Sequence, residues 1–317
     1  MSFIGTVYNR LSELSPFIEV CLRKLYWSNV QLLSKYSVNK NERENRTNFV
    51  DFEEVIDCIK SCGIGEGAFL VMHSSYGNLK PTSLDNKGVI ERLLQLIGPN
   101  GTLAAPVIRT YSEEKRLTAY ELFNGGASDL ICTYDVKKTP IWSGILSQTL
   151  MEHEGSVTSR HPLNPMTAVG RYANEMMKHN IEGLYPSAHG VNSSWKFCAD
   201  HNAYIIYLGI DFGHHLTMQQ VVTESYPEHQ PNDFFYKRKF IVKDNDFEKE
   251  IEVMERRRNM TVYLPERCVR KDIINSGIMK MENIKGIPIC VCSSKQLLDF
   301  FMSQRKYYPY YFPFKNH

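Results

Sequence analysis

The chain has 317 residues, of which 43% are hydrophobic and 23% charged, and its formal net charge is only +2. A chain of this length buries a full core without disulfide help, and so balanced a charge gives no whole-molecule field to attract nucleic acid. None of the eight cysteines forms a C-x-x-C pair or a Cys/His grouping of zinc-site spacing, so free buried thiols are expected and a metal is not.

The first fifty residues differ in pattern from the rest. Apolar residues at helical spacing from Leu11 to Lys35 predict a helix, and the polar run Ser37 to Asn48 reads as a linker. We therefore divide the chain into an N-terminal helical arm with its linker, residues 1–48, and a catalytic-type domain, residues 49–317. The arm reads as an ordinary packed helix, with a docking, dimer or membrane-surface role as alternatives. No apolar run is long enough to span a bilayer, and Met1 opens no basic-then-apolar leader, so a cytoplasmic location is expected.

From Phe49 the pattern is mixed. Asp51–Cys62 predicts an amphipathic helix, Ala68–Met72 a buried strand, Lys87–Ile97 a helix stopped by Gly98-Pro99-Asn100-Gly101, and Thr102–Val107 a further strand. Ile141–Glu152 predicts a helix and Ala203–Gly209 a strong strand. Lys239–Asp244 and Glu250–Glu255 pair as a hairpin around Asn245-Asp246, and Ile287–Val291 with Ser294–Arg305 gives a last strand and helix. Strands separated by helices predict a three-layer α/β/α sandwich with a central sheet.

Four local constellations bear on chemistry. His73-Ser74-Ser75 leaves a buried strand and can present hydroxyls and amides to phosphates, although a polar strand end explains it as well. Ser159-Arg160-His161-Pro162 offers a phosphate contact beside an imidazole, or simply a turn. Ser187 to Trp195 combines a glycine, hydroxyls and a tryptophan in a substrate-facing type of loop. Asp211-Phe212-Gly213-His214-His215 follows the strongest strand, where open α/β sheets commonly bind ligands. No nucleotide-binding glycine motif and no G-x-S-x-G elbow is present.

Taken in order, these segments resemble the aminoglycoside 3-N-acetyltransferase family. The resemblance is carried by Val71 to Ser75, by Ile97-Gly98-Pro99-Asn100-Gly101-Thr102-Leu103 with Pro106, and by Tyr134-Asp135 with Thr139-Pro140. It continues through Ser143 to Leu146, Ser159 to Pro162 with Ala168-Val169-Gly170, Gly190 to Trp195, and Leu208-Gly209 running into Leu216-Thr217. It implies a three-layer α/β/α fold with a central mixed sheet and acetyl-CoA, or another acyl-CoA, as donor. It also implies His73, Ser74, Ser75, Ser159 and Arg160 at the cofactor, and Asp135, His161, Asn192, Ser193, Trp195, Asp211 and Thr217 near the acceptor. The late segment Glu255-Arg256-Arg257 with Pro265-Glu266-Arg267 and Asp272 resembles a branch found among cell-surface polysaccharide genes.

The family's catalytic histidine falls on Gln220 here, and its carboxylate falls on Thr223, with Glu224 next door. An amide is not a base at neutral pH. Three readings follow: His214 or His215 supplies the base with Glu224 orienting it, the acceptor amine needs only positioning, or catalysis is lost and binding kept. The expected function is CoA-dependent N-acylation of an amino sugar, free or nucleotide-linked, in surface polysaccharide biosynthesis. Aminoglycoside resistance and a CoA-binding partner protein of a glycan assembly complex, docked through residues 1–48 or as a homo-oligomer, are the alternatives. The acids around the expected site, Asp135, Asp200, Asp211, Glu224 and Glu228, do not demand a cationic substrate.

Overall fold

A computed structural model describes residues 3–29, 48–212, 217–226 and 234–304. Ten strands are formed in chain order: β1 Phe69–Ser74, β2 Thr102–Pro106, β3 Ile131–Asp135, β4 Val157–Thr158, β5 Met166–Gly170, β6 Tyr204–Leu208, β7 Phe235–Asp244, β8 Phe247–Arg256, β9 Lys280–Ile284 and β10 Ile287–Ser293. Seven build the main sheet in the order β4-β5-β2-β1-β6-β10-β9, and β3-β7-β8 form a second, smaller sheet. The three central strands β2, β1 and β6 run parallel, while β5, β10, β9 and β4 pair antiparallel with their neighbours. The main sheet is therefore mixed.

Alternation along the central strands divides the core into two layers. Phe69 and Val71 of β1 and Ile205 and Tyr207 of β6 face one side, packed with Trp195, Met218, Val222, Val269, Leu297 and Phe301. Leu70, Met72, Ile206 and Leu208 face the other, against Val55, Ile59, Ile90, Leu93 and Leu146 from the helices Phe52–Ser61, Asn86–Ile97 and Ile145–Glu152. A strand covered on both faces reads as a continuous apolar run, which is how β1 and β6 appear in the sequence. This is the three-layer arrangement expected. The small sheet has its own cluster around Tyr111, Tyr134, Phe240 and Val253.

The glycine blocks shape turns. A Cβ on Gly170, at φ +114°, would stand 2.2 Å from the Gly101 carbonyl oxygen, so the β5 end can pass β2 only with glycine there. The hairpin forms where expected, with Asp244 opposite Phe247. The helix expected over Leu11–Lys35 is instead broken between Phe3–Ser12 and Pro16–Ser28, where Ser15 caps the second and Pro16 opens it; its last residues and the expected linker, residues 30–47, lie outside the described residues. The second helix lies on the domain: Glu19, fully buried, accepts from the amides of Glu266, Arg267 and Cys268 at 2.9–3.3 Å, the N-terminal turn of the helix Arg267–Asn275. Trp27 stacks on Phe123 with ring centroids 3.9 Å apart. No helix among the described residues is long and apolar enough to cross a membrane.

Candidate active site

The parallel strands β2, β1 and β6 end on the same edge of the sheet, and β1 is where the chain has gone out to both sides. A crevice opens beyond such ends. It holds a cavity of about 990 Å³ lined by the β1 exit His73, Ser74 and Ser75, by Lys80 and by Thr217. His73 is stacked on Tyr207, centroids 5.0 Å apart, with Trp195 at 5.9 Å on nearly parallel planes. Gly209, at φ +71°, lets the β6 exit approach Ser75, whose carbonyl oxygen would be 3.0 Å from a Cβ there, and Asn78 Nδ2 donates to its carbonyl at 2.9 Å.

A second cavity of about 420 Å³ adjoins the first. Ile108, Trp142, Asn164, His189 and Gln220 line both, so these five residues mark the junction. Trp142 stands 75% exposed there.

His189 is the fixed point of the junction. Its backbone amide donates to Glu224 Oε2 at 2.8 Å, its Nδ1 lies 2.9 Å from Glu224 Oε1, and its carbonyl accepts from Ser225 Oγ at 2.7 Å. Both side chains of the pair are buried, 3% and 4% exposed. Burial pushes the Glu224 carboxyl up, but the His189 ring and amide, with the Arg256 charge, outweigh it and hold the group below 4.5. An ionised carboxylate on Nδ1 fixes the proton on that nitrogen and leaves the Nε2 lone pair free to accept. Asn164 Nδ2 sits 3.4 Å from Nε2, consistent with that tautomer. Gln220 Oε1 is sealed from solvent and has no hydrogen-bond partner among the described residues.

The sequence-derived candidates divide. His73, Ser74, Ser75, Thr217, Trp195 and Gln220 come together around the first cavity. Glu224 lines the second and holds His189; His214 and His215, its expected partners, lie outside the described residues. Arg160 does not line the first cavity: it pairs with Asp244 at 2.8 Å and covers Phe247. Ser159 is buried against Asn180 and the His161 amide. His161 is buried with its ring nitrogens near the Leu163 and Pro186 carbonyls, and burial lowers its basicity from the usual 6.5.

The remaining acceptor candidates are also engaged elsewhere. Asp135 accepts from the amides of Lys137 and Lys138 in a turn, and Asp211 pairs with Arg270 at 2.7 Å on the surface. Ser193 caps the helix Ser194–Asp200, and Asn192 lines a third cavity of about 300 Å³. Reading the sequence missed His189, although the segment Ser187 to Trp195 that contains it stood out. The signal was a histidine beside Gly190, without any local hint that Glu224, 35 residues on, is its partner.

Fold and crevice together define an acyltransferase-like α/β domain. The family model for aminoglycoside 3-N-acetyltransferase matches residues 71–304, and the chain belongs to that family; by that membership it is an N-acetyltransferase. Similar solved structures include aminoglycoside acetyltransferase AAC(3)-IIb, at 17% identity and TM-score 0.65, over 82% of this chain and 98% of that one. AAC-IIIb in a binary complex with CoASH shares 13% identity at TM-score 0.64, over 81% and 96% of the two chains. The YokD protein from Bacillus subtilis shares 17% at TM-score 0.61, over 79% and 97%. No curated protein matches the chain significantly.

Proposed function

We propose that this chain transfers an acetyl group from acetyl-CoA to the amine of an amino sugar, with His189 as general base and Glu224 as its positioning carboxylate. The single observation behind this reading is the buried His189–Glu224 pair at the junction of the two cavities. It restores, from a different segment, the base that Gln220 cannot provide.

The first cavity suits the donor: it is the roomier of the two, opens at the strand ends, and offers the hydroxyls of Ser74 and Ser75 and the Lys80 ammonium to a phosphorylated ligand. The complex of a similarly folded protein with CoASH supports CoA as the donor's carrier. Acetyl-CoA, when bound, supplies an acyl carbon carrying a thiolate leaving group. An ammonium has no lone pair for attack, so Nε2 of His189 takes a proton from the acceptor while the Glu224 charge stabilises the imidazolium that forms. The Gln220 amide at the junction presents a donor to the oxygen on which negative charge develops. Ile108 and Trp142 give this meeting point apolar surface.

Surface polysaccharide biosynthesis in the cytoplasm is our finer reading of the role, supported by the late Glu255-Arg256-Arg257 segment. The family's own name favours an aminoglycoside as the second reading. Purified protein given acetyl-CoA and a panel of amino sugars is expected to release free thiol in step with N-acetylation. Calorimetric binding of CoA without turnover on any acceptor would leave a binding protein instead.

A further inference from the structure

The walls of the second cavity carry one more arginine than carboxylate. Arg109, Arg238, Arg256 and Arg258 line it, against the carboxylates of Glu114, Glu224 and Glu255. Every one of those carboxylates is already engaged. Glu114 holds Arg238 at 2.7 Å and Arg258 at 3.1 Å, and Glu255 holds Arg238 at 2.6 Å and Arg258 at 3.5 Å. Glu224 holds His189.

Arg109 and Arg256 form no ion pair with a carboxylate within 4 Å among the described residues, although Glu224, Glu255 and Glu266 act on the Arg256 charge from further off. Arg109, 7% exposed, donates to neutral acceptors, the carbonyls of Thr139 at 2.7 Å and Val136 at 2.9 Å and the Met151 sulfur at 3.1 Å, and its Nε has no partner among the described residues. Arg256, at the end of β8, has Nε and Nη1 sealed from solvent and without a hydrogen-bond partner among the described residues. Nη1 shares the outer edge of the guanidinium with Nη2, that edge is a ready bidentate receptor for an oxyanion, and leaving buried donors empty is costly. A polycationic acceptor would find no disengaged carboxylate on these walls.

We infer that the acceptor carries a carboxylate or phosphate besides its amine, and that Arg256 receives this oxyanion in the second cavity. The inference rests on the acceptor side of the reading above and fixes its substrate class: an anionic amino sugar. Arg256 is a binding and specificity residue here. With the oxyanion on Arg256, the amine is held within the same cavity that His189 lines.

The test uses the full chain with acetyl-CoA. Thiol release is measured with glucosamine, glucosamine 6-phosphate, glucosaminuronic acid and an aminoglycoside, and with inorganic phosphate as competitor. A charged sugar is expected to exceed glucosamine in kcat/KM by at least about tenfold, the yield of one charge-assisted contact. Phosphate should compete with the acceptor and not with acetyl-CoA, and the better of the two charged sugars assigns the oxyanion. Arg256→Gln should collapse the charged-over-neutral ratio towards one through KM, and Arg256→Lys should recover part of it. If Arg256→Gln melts early, Arg256→Lys and the phosphate competition decide. A preference for glucosamine or the aminoglycoside, or a ratio unchanged in the variants, overturns the inference. Calorimetry of the same sugars without donor separates the two readings. Selective anion binding with no thiol release removes the transferase and keeps the anion site, whereas turnover confined to uncharged or cationic acceptors does the reverse.

Discussion

A histidine tied down through its amide, its carbonyl and Nδ1 has Nε2 left beside Asn164, and His189 lines both cavities. His189→Gln is therefore expected to lower kcat by about 10²–10⁴-fold, the usual worth of a positioned base, with KM for acetyl-CoA little changed. Glu224→Gln should cost at least about tenfold in kcat, since the tautomer and the imidazolium both lose their partner. Acid stability gives a second measurement. His161 is buried with its basicity below 6.5, so the unfolded chain takes up its proton first. That contribution is present above pH 6.5 and fades as pH falls below it. Glu224, held below 4.5, adds stability that is present above that value and lost as pH drops further. Urea midpoints should decline in those two windows, and His161→Gln should flatten the first; an unchanged upper window would show that His161 is not the group titrating. Of the site, the β1 exit was legible because a buried strand ending in hydroxyls is a local pattern. The base was not, because a pair 35 residues apart leaves no local pattern at all.

At the scale of elements, the helix Thr217–Ser225 shows why reading failed where function concentrates. Except at Gln220 it is buried all round, with the polar Gln219, Thr223 and Glu224 buried along with Val221 and Val222, so its sequence lacks the one-sided apolar stripe that marks a surface helix. β3 was missed for a related reason: Ile131 and Thr133 face solvent while Cys132 and Tyr134 face inward, and five residues give little alternation to read. The arm behaves oppositely. Its second helix was legible, but not that a buried carboxylate would tie it to residues 266–268 near the far end of the chain. Glu19→Ala should lower stability by about 1–2 kcal/mol in denaturant melts, the scale of a lost helix cap, and leave KM for acetyl-CoA alone. Gly209→Ala should strain the positive-φ turn by about 1–3 kcal/mol and press on Ser75, raising KM for acetyl-CoA. An unaltered KM would mean the β1 exit does not hold the donor.

Across the whole molecule, the three-layer plan followed from apolar runs alternating with amphipathic helices, since both faces of β1 and β6 are covered. The antiparallel additions at the sheet edges and the separate small sheet depend on long-range pairing, such as β3 with β7, that periodicity does not encode. That long-range assembly brings the β7–β8 hairpin, with Arg238, Glu255 and Arg256, over the same cavity as His189. The central claim is that proton transfer has moved to His189. It is tested most directly by measuring kcat for thiol release in His189→Gln and His215→Ala side by side, at saturating acetyl-CoA and acceptor. Loss of about 10²-fold or more in His189→Gln, with His215→Ala close to wild type, is the predicted result. The reverse order would contradict it and return the base to the segment after β6.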